Sequence, residues 1–439
     1  MLKTFRKAFQ IEEIRKKIFY TFAMLFVVRL GSQLPTPGVD PTFIQNFFAN
    51  QTGEAFNFFN AFTGGSFEQM SIFALSITPY ITSSIIMQLL TIAIPKLEEM
   101  QKDGEEGRKK IAAFTRYVTV LLALIQSTAM AVGFGRSGLL VEYNFVNAAI
   151  VVLTLTAGSA FLMWIGERIT EKGVGNGISI VLLINILSRI PDDFNTLYTQ
   201  FMKGKSLATA GLAAFIIVAI ILAVIVFVIF LQDGQRKIAV QYSQKIQGRK
   251  NVGGQSTFIP LKVNTAGVIP VIFASSLMQF PIVIASFLGK GDGDGIGSEI
   301  LRGLNSNNWC NPENIKYSWG LIVYIILTIL FAYFYTSITF NPLEIANNMK
   351  KSGGFIPGIR PGKPTSDYLN SILNYIVFIG ACGLIIVSIV PIIVSGLFSI
   401  SRLSFMGTSL IIIVGVVLET IKSIESQMLV RNYKGFLND

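Results

Sequence analysis

Two stretches of the 439-residue chain have glycine patterns that could bind a nucleotide. EKGVGNGIS (171–179) contains spaced glycines, but it lies between two apolar stretches and not between a strand and a helix, as a dinucleotide fingerprint requires. GEEGRKK (104–110) lacks the spacing and the Ser or Thr of a Walker loop. The sequence therefore predicts a tight turn at the first stretch and no ATP hydrolysis by this chain.

The residue types for metal binding and covalent catalysis are also scarce. GKGDGDGIGSE (289–299) places Asp292 and Asp294 as at the start of a calcium loop, but the later ligands are missing, which favours a flexible outer loop. Histidine is absent, and with it the usual metal ligand and general base. Cys310 and Cys382 fall at different predicted membrane depths, so we do not expect a disulfide. We expect no enzyme, no cofactor and no metal.

Most of the chain has the composition of a membrane protein. Hydrophobic residues make up 51% and charged residues only 14%, and a spanning helix needs about 20 mainly apolar residues. The sequence predicts ten such helices, and therefore an all-α integral membrane protein. The expected spans are 18–34, 72–94, 114–134, 147–166, 176–190, 211–231, 265–288, 318–339, 369–395 and 406–423.

The distribution of basic residues predicts the orientation of the chain. One set of alternate loops, together with both termini, carries most of the 36 Lys and Arg residues, whereas the outer loop 38–71 has none. The positive-inside rule therefore places both termini in the cytoplasm. An even division gives an N-terminal half (1–205) and a C-terminal half (206–439) of five spans each. Halves with an odd number of spans have opposite orientations, as in an inverted repeat.

Two cytoplasmic loops, 232–264 and 341–368, are longer than simple connectors need to be. They are either solvated basic loops or shaped projections that present arginine to an acidic partner. Their Gly and Pro positions favour the second interpretation.

Polar residues within the spans leave more than one function open. SITPYITSSIIMQ (76–88) and NTAGVIPVIFASSLMQFP (264–281) suit either close helix packing or a watery path. A secondary transporter of a small solute is possible, but it usually keeps a charged residue near the midplane. The charges within the spans are chiefly Arg29 and Glu419, and Glu419 lies near a span end. A membrane scaffold without a conduction path is a third possibility.

The segment at about 57–71 begins like a span but cannot comfortably cross the membrane. Glu68 would cost roughly 2.5 to 3.5 kcal/mol near the bilayer centre, and Gly64 and Gly65 interrupt the apolar run. The residues alone therefore predict a re-entrant or interfacial half-helix. Such a short helix would be held only by its packing and could leave readily.

Four long motifs resemble the SecY family of protein-conducting channel subunits. They are GVGNGISI (173–180), GQSTFIPLKVNTAGVIPVIFASS (254–276), FIPGIRPGKPTSDYL (355–369) and LETIKSIESQMLVRNYKGF (418–436). Their order, the ten spans and both basic loops match from end to end. The resemblance implies two pseudo-symmetric, inverted five-helix halves around an hourglass pore that conducts unfolded secretory polypeptides.

The resemblance also implies roles for particular residues. At the waist it implies a pore ring of six aliphatic side chains: Ile81, Ile85, Leu182, Ile186, Ile272 and Ile412. Two pairs of these are four residues apart and can share a helical face. The segment at about 57–71 becomes the plug of the outer funnel: Phe62, Thr63, Gly64, Gly65, Ser66, Phe67, Glu68, Gln69 and Met70. Leu182 departs from the isoleucine commonest at its position, with little expected effect on shape or polarity.

A lateral gate and a docking surface are implied in the same way. Between the second and seventh spans the gate residues are Gln88, Ser275, Ser276, Gln279 and Phe280. The cytoplasmic docking residues are Arg236, Lys237, Arg249, Lys250 and Arg360. Phe258 departs from the histidine of many relatives.

The implied partners follow from these sites. They are SecE and SecG in a heterotrimer, the SecA motor ATPase, the ribosome, secretory preproteins with their signal peptides, and lipids of the bacterial plasma membrane.

Overall fold

The structure is a computed structural model that describes residues 9–40, 42, 63–203, 207–242, 245–247, 250–252, 256–287, 295–305, 308–310, 315–398 and 408–435. Thirteen α-helices lie in these ranges. They are α1 (Glu12–Gly31), α2 (Thr78–Ala93), α3 (Pro95–Lys102), α4 (Glu105–Phe134), α5 (Phe145–Lys172), α6 (Gly177–Phe201), α7 (Leu207–Asp233), α8 (Ile269–Phe287), α9 (Ile296–Leu304), α10 (Trp319–Thr339), α11 (Pro342–Lys351), α12 (Lys363–Phe398) and α13 (Thr408–Gly435).

Ten of these helices coincide with the ten expected spans. By length and apolar composition, five helical segments of the described chain qualify as spans, or six if α2 and α3, bent by 107°, count as one. The five are Glu105–Gly133, Phe145–Lys172, Ala210–Asp233, Ile315–Lys351 and Lys363–Val390. Large apolar side chains such as Phe215, Phe230 and Ile322 are exposed on them. Such extensive apolar surface fits a lipid environment.

Two predicted span boundaries were wrong. α2 begins only at Thr78, because residues 72–77 form turns in which Ser76 has a φ of +52°. α6 does not end near residue 190 but continues through Pro191 to Phe201. The C-terminal part of α6 carries Arg189, Asp192 and Asp193, so the mean hydropathy of the sequence falls before the helix ends.

The two long loops predicted to be cytoplasmic fold together into one unit. In the described residues they hold β1 (Gln235–Tyr242), β2 (Lys245–Gln247), β3 (Lys250–Val252), β4 (Ser256–Lys262) and β5 (Gly354–Phe355). β1 pairs antiparallel with β4 of its own loop and with β5 of the other loop. Ile238 and Val240 of β1 pack in one apolar cluster with Met349, Ile356 and Leu369. The two loops are therefore shaped, as one interpretation expected, although the sequence did not predict the sheet; presentation of arginine to an acidic partner stays a prediction.

Three apolar clusters organise the helical body. One joins α4 and α5 to residues 67–75, and another joins α7, α8, α10, α12 and α13. The third lies between them and combines α1, α2, α5 and α6 with α8 and α13. This central cluster connects helices from before and after the predicted boundary at 205, and it positions the candidate site.

Candidate functional site

The structure brings the six predicted ring residues together from α2, α6, α8 and α13. Leu182, Ile186 and Ile412 are buried in the central cluster, and the half-buried Ile81 and Ile272 pack against it. Ile85 lines a cavity together with Ile81 and Ile272. Because every one of these side chains is aliphatic, they offer no group that could hold an ion or a peptide by hydrogen bonding.

The cavity beside these residues has a volume of about 490 Å³, and its wall is formed by α2, α4, α5 and the start of α6, with two residues of α8. Its apolar end is formed by ring residues. Its other end is polar, and there Arg116 Nε donates a hydrogen bond of 2.7 Å to Glu167 Oε1. The remaining wall residues are Tyr80, Ser84, Gln88, Thr170, Glu171, Asn176, Ile178, Ser179 and Ile269. An apolar collar therefore adjoins a space that water can fill.

The predicted gate residues have different surroundings. Gln88 of α2 is exposed and lines the 490 Å³ cavity, and Ser276 of α8 is also exposed. Ser275 instead lies beside the Tyr324 hydroxyl, among helices after residue 206. Gln279 and Phe280 belong to α8, but their side chains lie outside what the structure describes. Each of the two helices of the predicted gate therefore carries an exposed polar side chain.

The predicted plug is described from residue 63 onward, and Phe62 lies outside the described residues. Residues 63–70, here called the plug segment, form consecutive turns from Gly64 onward and not the expected half-helix. Gly64 and Gly65 have φ values of +65° and +84°, and Met70 reaches +42°. Phe67 and Met70 are buried against α4 and α5.

The plug segment is held by polar contacts as well as by packing. The Gly64 carbonyl oxygen accepts hydrogen bonds from Arg29 Nη1 at 3.4 Å and from Ser188 Oγ at 3.3 Å. Arg189 Nη1 forms an ion pair with Glu68 Oε2 at 3.1 Å. The expectation that packing alone holds this segment was wrong. Sequence reasoning noted Arg29 only as a charge within a span, and it missed Ser188 and Arg189.

Gly64 and Gly65 also have a different structural role from the expected flexible break. A Cβ on Gly64 would lie 2.8 Å from the Asn185 carbonyl oxygen, which leaves no room for another residue. Its positive φ also favours glycine. These glycines therefore let the chain turn tightly against α6.

The turns after the plug segment are joined to α5 and α6. The Ser159 hydroxyl of α5 donates a hydrogen bond of 3.1 Å to the Ser76 carbonyl oxygen. Asn185 of α6 lies next to the predicted ring residue Ile186, and its side-chain amide donates a hydrogen bond to the Ser76 hydroxyl. Sequence reasoning missed this group, although a polar residue among the ring positions of α6 was a usable signal.

The predicted docking residues that the structure describes lie on the folded unit of the two long loops. Arg236 and Lys237 of β1 are exposed, as is Arg360. Arg360 lies between Gly358 (φ +82°) and Gly362 (φ +106°), and its carbonyl oxygen accepts a hydrogen bond of 2.8 Å from Thr365 Oγ1. Arg249 lies outside the described residues; Lys250 lies in β3, but its side chain is not described.

Comparisons with known proteins agree on one family. The SecY family model matches residues 71–421. "Protein translocase subunit SecY" of Bacillus subtilis is 44% identical over 448 residues that cover 100% of both chains.

Solved structures of similar fold are more distant in sequence. One, in work on the plug domain that stabilises the closed SecY channel and maintains a membrane seal, has a TM-score of 0.60. It is 18% identical and covers 94% of this chain and 92% of that chain. Sec61 from a canine ribosome-channel complex has a TM-score of 0.58 at 16% identity, over 94% and 93% of the two chains.

Proposed function

The chain belongs to the SecY family, and we propose that it is the central pore-forming subunit of a Sec protein translocase. It is a multi-pass membrane protein with the ten-helix channel fold. One observation carries the proposal. Aliphatic residues from four helices lie together, with a 490 Å³ cavity on one side and the anchored plug segment nearby, and in this proposal they form the constriction of the pore. The chain conducts unfolded secretory polypeptides and does no covalent chemistry itself.

The constriction acts as a deformable seal. Water leaves a narrow apolar collar readily, so the closed ring blocks ions without a charged gate. Ile81, Ile85 and Ile272 are not fully buried, and their side chains can turn aside into the adjoining cavity. A translocating chain can therefore pass without being bound.

Lateral release uses the predicted seam between α2 and α8, which both contribute residues to the wall of the 490 Å³ cavity. Helices that already enclose a cavity can separate with little loss of apolar packing. Gln88 and Ser276 provide polar side chains along this seam. Signal peptides and membrane segments leave the pore here and enter the lipid bilayer.

The folded cytoplasmic unit is the docking surface for SecA and the ribosome. It presents Arg236, Lys237 and Arg360 on a sheet-supported platform. The canine relative was solved in a ribosome-channel complex, which supports this use. SecE and SecG complete the heterotrimer. The chain lies in the bacterial plasma membrane with both termini in the cytoplasm.

Reconstitution tests this function directly. Vesicles that contain the chain with SecE and SecG, supplied with SecA, ATP and a secretory precursor, should protect the precursor from external protease. Vesicles that lack only this chain are the control. Equal protection in both would contradict the proposal. Saturable uptake of a small solute driven by an ion gradient, without precursor protection, would identify a secondary transporter instead.

A further inference from the structure

Two arginines from different helices hold the plug segment at its two ends. Arg29, in the last turn of α1, donates to the Gly64 carbonyl oxygen, and Arg189 of α6 pairs with Glu68. Ser188 of α6 adds a hydrogen bond to the same carbonyl group. The segment is therefore fixed to two helices by hydrogen bonds that must break before it can move.

These contacts surround a second cavity, with a volume of about 410 Å³ and a mostly polar wall. Arg29, Arg189, Glu68, Asp192 and Asp193 all line it. Because water can enter such a space, either partner can be hydrated when the ion pair separates. The contacts are thus reversible, unlike a fully buried pair, whose separation would leave an uncompensated charge.

The exposure of the Arg189 to Glu68 ion pair indicates how strongly the pair favours the closed position of the plug segment. The side chains of Arg189 and Glu68 are 15% and 31% exposed. A partly exposed pair of this kind changes a two-state equilibrium about fivefold. A fivefold change is enough to favour the closed position of the plug segment, and it is too small to prevent a translocating chain from displacing that segment.

We propose that Arg189 and Arg29 are positioning residues of the plug, and that the Arg189 to Glu68 ion pair acts as a latch that keeps the resting channel closed. This proposal rests on the proposed function, because it assigns the latch to the plug of a protein channel. Arg29 and Arg189 hold the plug, and separation of the ion pair within the polar cavity releases it.

Charge reversal in the reconstituted heterotrimer tests the latch. Arg189→Glu and Glu68→Arg should each raise the resting ion conductance in planar bilayers about fivefold. The double variant, Glu68→Arg with Arg189→Glu, restores an ion pair and should return the conductance towards wild type. Lys203→Glu is the matched control, because Lys203 is exposed just beyond α6 and the change in charge is the same.

The rescue separates a latch from a general loss of structure. Unchanged conductance in both single variants would overturn the proposal, and so would a double variant that conducts as much as the singles. Precursor export by the wild type in matching vesicles is measured in parallel. Failure of export refutes the proposed function, whereas normal wild-type export without any effect of the charge variants refutes only the latch.

Discussion

The side-chain amide of Asn185 donates a hydrogen bond of 3.0 Å to the hydroxyl of Ser76, and both residues are buried. Ser76 precedes α2 in a left-handed conformation, and Asn185 precedes the ring residue Ile186. The bond therefore ties the turn before α2 to α6, beside the predicted ring residue Ile186.

Replacement of Asn185 by leucine should reduce stability. The variant keeps a similar volume but removes the donor to Ser76, at a cost of about 1 to 3 kcal/mol. A lower midpoint of thermal unfolding in detergent would show this loss. Asn195→Leu on the exposed side of α6 is the control and should leave the midpoint near wild type. Equal midpoints for the two variants would contradict the structural role of Asn185.

Gly158→Ala should destabilise the contact between α5 and the turns before α2. A Cβ at this position would lie 2.1 Å from the Ile72 carbonyl oxygen, so the backbone must shift. Overpacking of this kind typically costs about 1 to 3 kcal/mol. Thermal unfolding again provides the measurement. Gly211→Ala is the matched control, because no atom lies within 4 Å of its added Cβ. Equal midpoints of thermal unfolding for the two alanine variants would contradict a need for the close approach of α5 to Ile72.

Ile85→Asn should increase ion leak through the resting channel. The amide can hydrogen-bond water at the collar, so the apolar barrier to water and ions becomes weaker. Ile85 lines the cavity and is not fully buried, which favours folding of the variant. Conductance in planar bilayers is the measurement, and Ile85→Val keeps the site apolar as a control. A leak no larger than that of Ile85→Val would remove Ile85 from the ring.

Arg360→Glu should reduce SecA-driven export about tenfold while the protein stays folded, because a charge-assisted contact becomes a repulsive one. The side chain is exposed, so folding should not depend on it. Export into vesicles and binding of SecA are both measured. Lys316→Glu, an exposed position on the predicted outer side, controls for the change in total charge. Equal export by both variants would argue against docking at Arg360.

The sequence could group part of the predicted ring because helical spacing is a local property. Aliphatic residues four apart on a helix share a face, so Ile81 with Ile85 and Leu182 with Ile186 could be grouped without coordinates. Hydropathy likewise located ten helices, since burial in lipid requires long apolar runs. Hydropathy misplaced the start of α2 and the end of α6. The turns before α2 are apolar and were therefore assigned to a span, whereas the end of α6 is polar and was therefore assigned to a loop.

The sequence by itself determined the membrane class, the number of long helices, and the basic character of the two long loops. Only the tertiary structure decided what Arg29, Ser188 and Arg189 do, because their partners in the plug segment are at least 35 residues away along the chain. The sheet that joins the two loops also depends on pairing between distant strands. Such contacts depend on how the helices pack, and no local pattern of residue types specifies them.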